Sequence, residues 1–131
     1  MTVIRPTHHC FDDAVEYLNE RAKTEPKHVI LGLRLVHGIV TLPEGQPDAG
    51  RRVAHAWVED GLEVIDAGLL DGGRVYLVHD RVDYYTRLRV DATTKYTVVE
   101  LLAYHEAHGH VGPWRADLRQ MLRDTNTPIV R

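Results

Sequence analysis

The dipeptide Asp60-Gly61 constrains this chain more tightly than any other feature. It interrupts the run HAWVEDGLEVID where a two-residue hairpin turn needs a residue that accepts positive φ. Taking Asp60 and Gly61 as the two loop residues fixes a register by counting: Glu59 opposes Leu62, Val58 opposes Glu63, Trp57 opposes Val64 and His55 opposes Asp66. Directly opposed residues share one face of a ladder, with Cβ atoms about 5 Å apart. The count therefore sets a carboxylate against an imidazole, an arrangement that orients the ring and stabilises its charged form.

The remaining elements arrange themselves around that hairpin. Phe11, Ala14, Val15, Leu18 and Ala22 recur at helical spacing, so Cys10 to about Ala22 is expected to be an amphipathic helix. Pro6 and Thr7 are start signals, Asp12 and Asp13 suit a first turn whose dipole favours negative charge, and Glu25-Pro26 closes the helix. The run from Val29 to Leu42 is rich in β-branched and aliphatic residues and reads as one long central strand, with Gly32 and Gly38 as bulges or bends. Pro43 to Gly50 is a loop, and the hairpin strands are Val53 to Glu59 and Leu62 to Asp66. After a turn at Asp71-Gly72-Gly73, strands are expected at Val75 to Val78 and Thr86 to Val90. Thr97 and Glu100 make a T-x-x-E capping box for a helix over Val98 to His108 that Gly109 closes. Pro113 at a first-turn position opens a last helix with Leu118, Met121 and Leu122 facing inward. This order predicts an α+β fold: an N-terminal helix bearing the cysteine, packed on an antiparallel β-sheet, with C-terminal helices.

With 131 residues, one domain over 1–131 is expected, large enough to bury a core without metal or disulfide. A net charge of -3, with the arginines mixed among acids, argues against nucleic acid or anionic membrane as a partner. Neither G-x-x-x-x-G-K-[ST] nor G-x-G-x-x-G occurs, so no cofactor is expected. The start MTVIRPTHHC lacks the apolar core of a secretory signal and no run approaches a membrane span, which makes the cytoplasm the expected location.

Cys10 is the single cysteine, so it has no internal disulfide partner and is either a small buried hydrophobe or a reactive thiol. At a helix start, unpaired N–H groups and the dipole favour the thiolate. Asp12 and Asp13 oppose a further negative charge within one turn, so a neighbouring imidazole must contribute much of any activation. With His55 in reach, a thiolate–imidazolium pair oriented by Asp66 supplies the nucleophile, base and orienting group of a cysteine hydrolase or acyltransferase.

A cysteine heading HCFDDAVEYLNERA, then the β-rich LRLVHGIVTL, then HAWVE and an aspartate on the next strand resemble the transglutaminase-like branch of papain-like folds. The resemblance covers about Thr7 to Asp66. It implies a papain-like core with Cys10 as nucleophile, His55 as base and Asp66 as orienting group, and gives Trp57 and Glu59 no catalytic role. Minimal bacterial and phage members imply a cysteine peptidase or amide hydrolase rather than a protein cross-linker, with a peptide or protein amide as substrate.

An oxyanion hole needs donors beyond the Cys10 N–H, and His8 and His9, with Thr7 behind them, are candidates. Trp57 and Trp114 are candidates to border the cleft, although packing is the commoner role of tryptophan. Asp83, Tyr84 and Tyr85, with Tyr76, either line the cleft mouth or cover the sheet, cover being the commoner role, and His37 and His79 read as satisfied structural histidines. His105, His108 and His110 do not form H-E-x-x-H; they are either an incomplete metal site or caps for a helix C-terminus, where imidazolium is favoured. Two other readings stay open: a catalytically inactive binding protein on the same scaffold, and a metal-binding protein using that histidine cluster.

Overall fold

Alternation along the hairpin and its neighbours builds a six-stranded antiparallel sheet with helices on both faces, an α+β fold. The computed structural model describes residues 3–4, 7–46, 48–71 and 73–126, and of 3, 4, 7, 8, 125 and 126 the backbone alone. In chain order the elements are β1 (Val3–Ile4), α1 (Thr7–Thr24), α2 (Lys27–Gly32), β2 (Arg34–Thr41), β3 (Arg52–Asp60), β4 (Glu63–Leu70), β5 (Gly73–Asp80), α3 (Arg81–Arg87), β6 (Asp91–Thr97), α4 (Val98–His108) and α5 (Ala116–Asn126). No helix among the described residues is long and apolar enough to cross a membrane.

The hairpin forms one residue later than the count expects. Asp60 pairs with Glu63 and Val58 with Ile65, so the loop residues are Gly61 and Leu62. Gly61 takes φ +60° and Leu62 no positive φ, which matches the turn with glycine at its first central position. Moving the turn by one residue changes every pairing but preserves which face each side chain occupies, because the side-chain period is 2. His55 and Asp66 therefore stay on one face, as diagonal rather than direct neighbours.

β3 and β4 pair only at Val58–Ile65, Glu59–Val64 and Asp60–Glu63. Farther along, the same edge of β4 is taken by β1, with Ile4 opposite Gly68 and Val3 opposite Leu69, while β5 lines the other edge throughout. β2 lies between β3 and β6 and is buried from Leu35 to Val40, which explains its near-continuous apolar sequence. Its register against β6 shifts between His37 and Ile39, a bulge at Gly38. A Cβ on Gly38 would stand 3.2 Å from the Trp57 ring and 3.1 Å from the Asp91 carbonyl oxygen, so glycine accommodates this close approach.

One core lies between the sheet and α1, α2, α4 and α5. It gathers Cys10, Phe11, Ala14, Val15 and Leu18 from α1, Ile30 from α2, Leu101 from α4 and Leu118 from α5 against Leu35, Ala54, Ala56 and Val58. The other core, under α3, is Val36, Val40, Val53, Trp57, Val64, Tyr84 and Leu88. Asp13 is buried with the apolar stripe of α1; Arg74 of β5 donates to it at 3.1 Å and to Glu16 at 2.6 and 2.8 Å, supplying the charge that a buried carboxylate needs.

Several expectations are corrected. Helix α1 begins at Thr7, so Cys10 ends its first turn and no acid lies in that turn; Ala22 is exposed. The supposed long strand from Val29 is split, because Pro26 starts the short helix α2 and only Arg34–Thr41 is strand. Here tertiary packing of Ile30 and Leu33 overrides β-propensity, which is a weak constraint. Thr86 to Val90 is not a strand: Asp80 caps α3 by accepting from the Asp83 N–H at 3.0 Å, and Tyr84 and Leu88, four apart, bury one helical face. The strand beside β2 at that edge of the sheet is β6, Asp91–Thr97. Pro113 follows a cis peptide bond and α5 begins only at Ala116, although Leu118 is buried and Met121 and Leu122 pack on the core as expected. The capping box of α4 forms as read: Thr97 Oγ1 accepts from the Glu100 N–H and Glu100 Oε1 from the Thr97 N–H, both at 3.0 Å, with Gly109 left-handed at φ +76°.

Candidate active site

The divergence of β3 from β4 positions the site. His55 stands on the part of β3 that no longer pairs with β4, opposite Gly38 of β2. Its ring lies 5.8 Å from the Trp57 ring, on the α3 side of the sheet. Cys10 belongs to the core on the helix-rich side, yet its thiol is close enough to affect the titration of both His55 and Tyr84. Thiol and imidazole therefore meet through the sheet, where β3 has lost β4 as a neighbour.

His55 Nε2 lies 3.0 Å from Asp66 Oδ1 and 2.9 Å from Oδ2. His55 is 0% exposed, Asp66 5% and Cys10 1%, so these groups act on one another with little solvent screening. Burial alone would drive proton loss from His55, but the Asp66 charge, the Cys10 charge and hydrogen bonding by both outweigh it and raise its pKa well above the ordinary histidine value. With Nε2 committed to Asp66, Nδ1 is the nitrogen left for the thiol; it is buried without a hydrogen bond of good geometry.

The sequence reading missed the group behind Asp66. Tyr84, expected to cover the sheet or line the cleft mouth, packs on the sheet, and its hydroxyl also donates to Asp66 Oδ2 at 2.6 Å. A cavity of about 70 Å³ opens beside this bond, with Gln46, Leu77, His79 and Arg87 in its walls. His79 Nδ1 lies 3.3 Å from Arg87 Nη2, and burial lowers the His79 pKa.

Trp57 does not border a cleft. It is 0% exposed, and its Nε1–H donates to Glu59 Oε2 at 3.0 Å. Glu59 is itself buried, with Lys95 Nζ donating to Oε1 at 2.9 Å and the Tyr85 hydroxyl to Oε2. Burial would raise the Glu59 pKa, but the bonds from Tyr85, Lys95 and Trp57 hold it below the usual carboxylate value. The tryptophan and glutamate of HAWVE thus form an anchor that fixes the strand carrying His55. Trp114 is likewise committed: its Nε1–H donates to the His110 carbonyl at 3.0 Å and its ring packs on Tyr96, Tyr104 and His37.

The remaining histidines divide. His9 is exposed on α1, and the His8 side chain lies outside the described residues. Among the described residues no three metal-ligating side chains gather at one point. His108 instead stacks on Tyr104, while His110 Nδ1 accepts from the Gly112 N–H at 3.1 Å and the His105 carbonyl accepts from Gly109 at the end of α4. His37 is not satisfied as expected, since neither ring nitrogen has a hydrogen-bond partner among the described residues. The rings of Phe11, Tyr96 and Trp114 surround it at 4.8, 5.0 and 5.1 Å. Set against known proteins, the chain matches no family model, no curated sequence and no solved structure.

Proposed function

We propose that this protein is a cysteine-dependent hydrolase or acyltransferase acting on an amide or peptide bond, related to transglutaminase-like enzymes with a papain-like core. The observation that carries the reading is the buried His55, bonded to Asp66 through Nε2 and subject at the same time to the Cys10 thiol. Cys10 first gives its proton to His55 Nδ1, forming a thiolate–imidazolium pair, and the thiolate Sγ then adds to the carbonyl carbon. The tetrahedral adduct expels the amine, which leaves with that proton, and a thioester remains. Water or a second amine then gives a proton to Nδ1 and attacks the thioester; collapse returns the proton to Cys10 and releases an acid or a new amide. Asp66 keeps the ring oriented and its charged form stable throughout. The lone thiol and the lack of an apolar membrane-spanning helix among the described residues agree with a cytoplasmic location.

Alkylation by iodoacetamide tests the reading. The native protein should react with a rate that rises to a plateau between pH 5 and 8, and Cys10→Ala should abolish both labelling and amide hydrolysis. A slow alkylation rate that stays flat over this range overturns the proposal. That result would favour a second reading, an inactive binding protein on the same scaffold, which draws on the 1% exposure of Cys10.

A further inference from the structure

We infer that Tyr84 is a positioning residue of this site, its hydroxyl holding the Asp66 carboxylate that in turn holds the His55 ring. The inference rests on the proposed function and gives a positioning role to a residue that the sequence offered only as sheet cover or cleft lining.

Asp66 is buried, and a buried carboxylate is tolerated only when donors reach its oxygens. Two do so from different elements: His55 Nε2 from β3, and the Tyr84 hydroxyl from α3. The Tyr84 contact of 2.6 Å falls in the short range typical of a hydroxyl donating to an ionised oxygen. Tyr84 itself has little freedom to leave. It is 1% exposed, and its ring lies 5.5 Å from Trp57 and 5.3 Å from His79. Helix α3 follows β5 directly and is tied at its start by the Asp80 cap.

The charged and titratable groups around the pair come from every neighbouring element: His55 from β3, His79 from β5, Asp83 and Arg87 from α3, and Cys10 from α1. Burial, followed by the charge and hydrogen bond of Asp66, holds the Tyr84 phenol well above its ordinary pKa, so it remains a donor across the working range. A donor on Oδ2 draws charge from the carboxylate and weakens its affinity for the Nε2 proton. It also blocks rotation of the carboxylate away from the ring. Removing that donor should therefore slow acyl transfer and make Asp66 a stronger stabiliser of the imidazolium.

The test compares the native protein with Tyr84→Phe and with 3-fluorotyrosine at the same position, which preserves packing while making the hydroxyl a stronger donor. Two readouts serve: the alkaline limb of Cys10 alkylation by iodoacetamide, and the His55 Nε2 proton resonance. For Tyr84→Phe, the alkaline limb should move to higher pH, the resonance should shift downfield, and amide hydrolysis should fall about ten- to a hundredfold, as expected for a hydrogen bond to a charged group. The fluorinated residue should move the limb and the resonance in the opposite direction, so the test survives a Tyr84→Phe variant that fails to fold. A limb and a resonance that stay in place in folded variants overturn the inference, even if stability falls. If Cys10 shows no activation but the resonance still follows Tyr84, the hydrolase reading fails while the positioning role stands.

Discussion

Two histidines on adjacent strands, His37 of β2 and His55 of β3, are both 0% exposed and face opposite sides of one sheet. His37 is enclosed by aromatic rings without a hydrogen-bond partner among the described residues, and burial, with Arg115 adding like charge, pushes its pKa down to about 3. His55 has equal burial but a carboxylate at 2.9 Å, and its pKa moves the other way. Burial by itself therefore does not make a histidine functional or inert. The difference lies in the charged neighbours, Asp66 and Cys10 beside His55 and Arg115 near His37, and the largest of the contributions that raise the His55 pKa, from Asp66, can be removed.

Removing it should have the largest effect. Asp66→Ala strips the partner from His55 and the acceptor from Tyr84, and breaking a buried pair in this way costs about 3–5 kcal/mol. Urea unfolding near pH 6 measures the loss. In the native protein the raised His55 pKa contributes stability that is fully present below the unfolded value of about 6.5 and is lost as pH rises through the folded value. The variant should lose this contribution, and its His55 should come to resemble His37. A loss below about 1 kcal/mol, the range of exposed pairs, would break the comparison.

His37 should show the opposite pH dependence. Its depressed pKa favours the folded state above the unfolded value of about 6.5 and lets that stability drain away as pH falls toward the folded value of about 3. The shift corresponds to an effect of about 5 kcal/mol across this window, at most. Urea midpoints from pH 3 to 7 for the native protein and His37→Phe isolate it. The difference between the two should shrink or reverse as pH rises, and a constant difference would show that His37 does not titrate with unfolding.

The smallest expected effect comes from the segment packed over His37. A Cβ added at Gly112 would stand 2.5 Å from His37 Cε1, at a backbone φ of +109°. Gly112→Ala should therefore cost about 1–3 kcal/mol, the range for overpacking, and leave the pH profile of Cys10 alkylation unchanged. A moved profile would show that the two faces are coupled through the sheet, sharpening the contrast into a dependence.

Legibility followed the distance over which each determinant acts. The α4 capping box and its glycine stop were readable because all the partners lie within one or two turns. The His55–Asp66 contact was readable despite a misplaced turn, because the shift preserved parity and left a diagonal pair within side-chain reach. Leu118 was readable from helical spacing. The α3 segment was not: Thr86 to Val90 resembles a strand, and only burial of Tyr84 and Leu88 against Trp57 selects the helix. Likewise Val29 and Ile30 entered α2, and Asp91–Thr97 became an edge strand because β2 offered it a partner.

The sequence by itself determined the α+β order, the face shared by histidine and aspartate, and the presence of a lone thiol before them, since these follow from local periodicity, turn chemistry and residue type. The tertiary structure decided that β3 leaves β4 early enough for Cys10 to reach His55 through the sheet. It also decided that a tyrosine from a later helix closes on Asp66, and that one buried histidine receives a carboxylate while its neighbour receives none. Contacts of this kind join residues far apart in the chain, and no local rule encodes them because each depends on how the whole set of strands and helices shares a limited number of edges and faces.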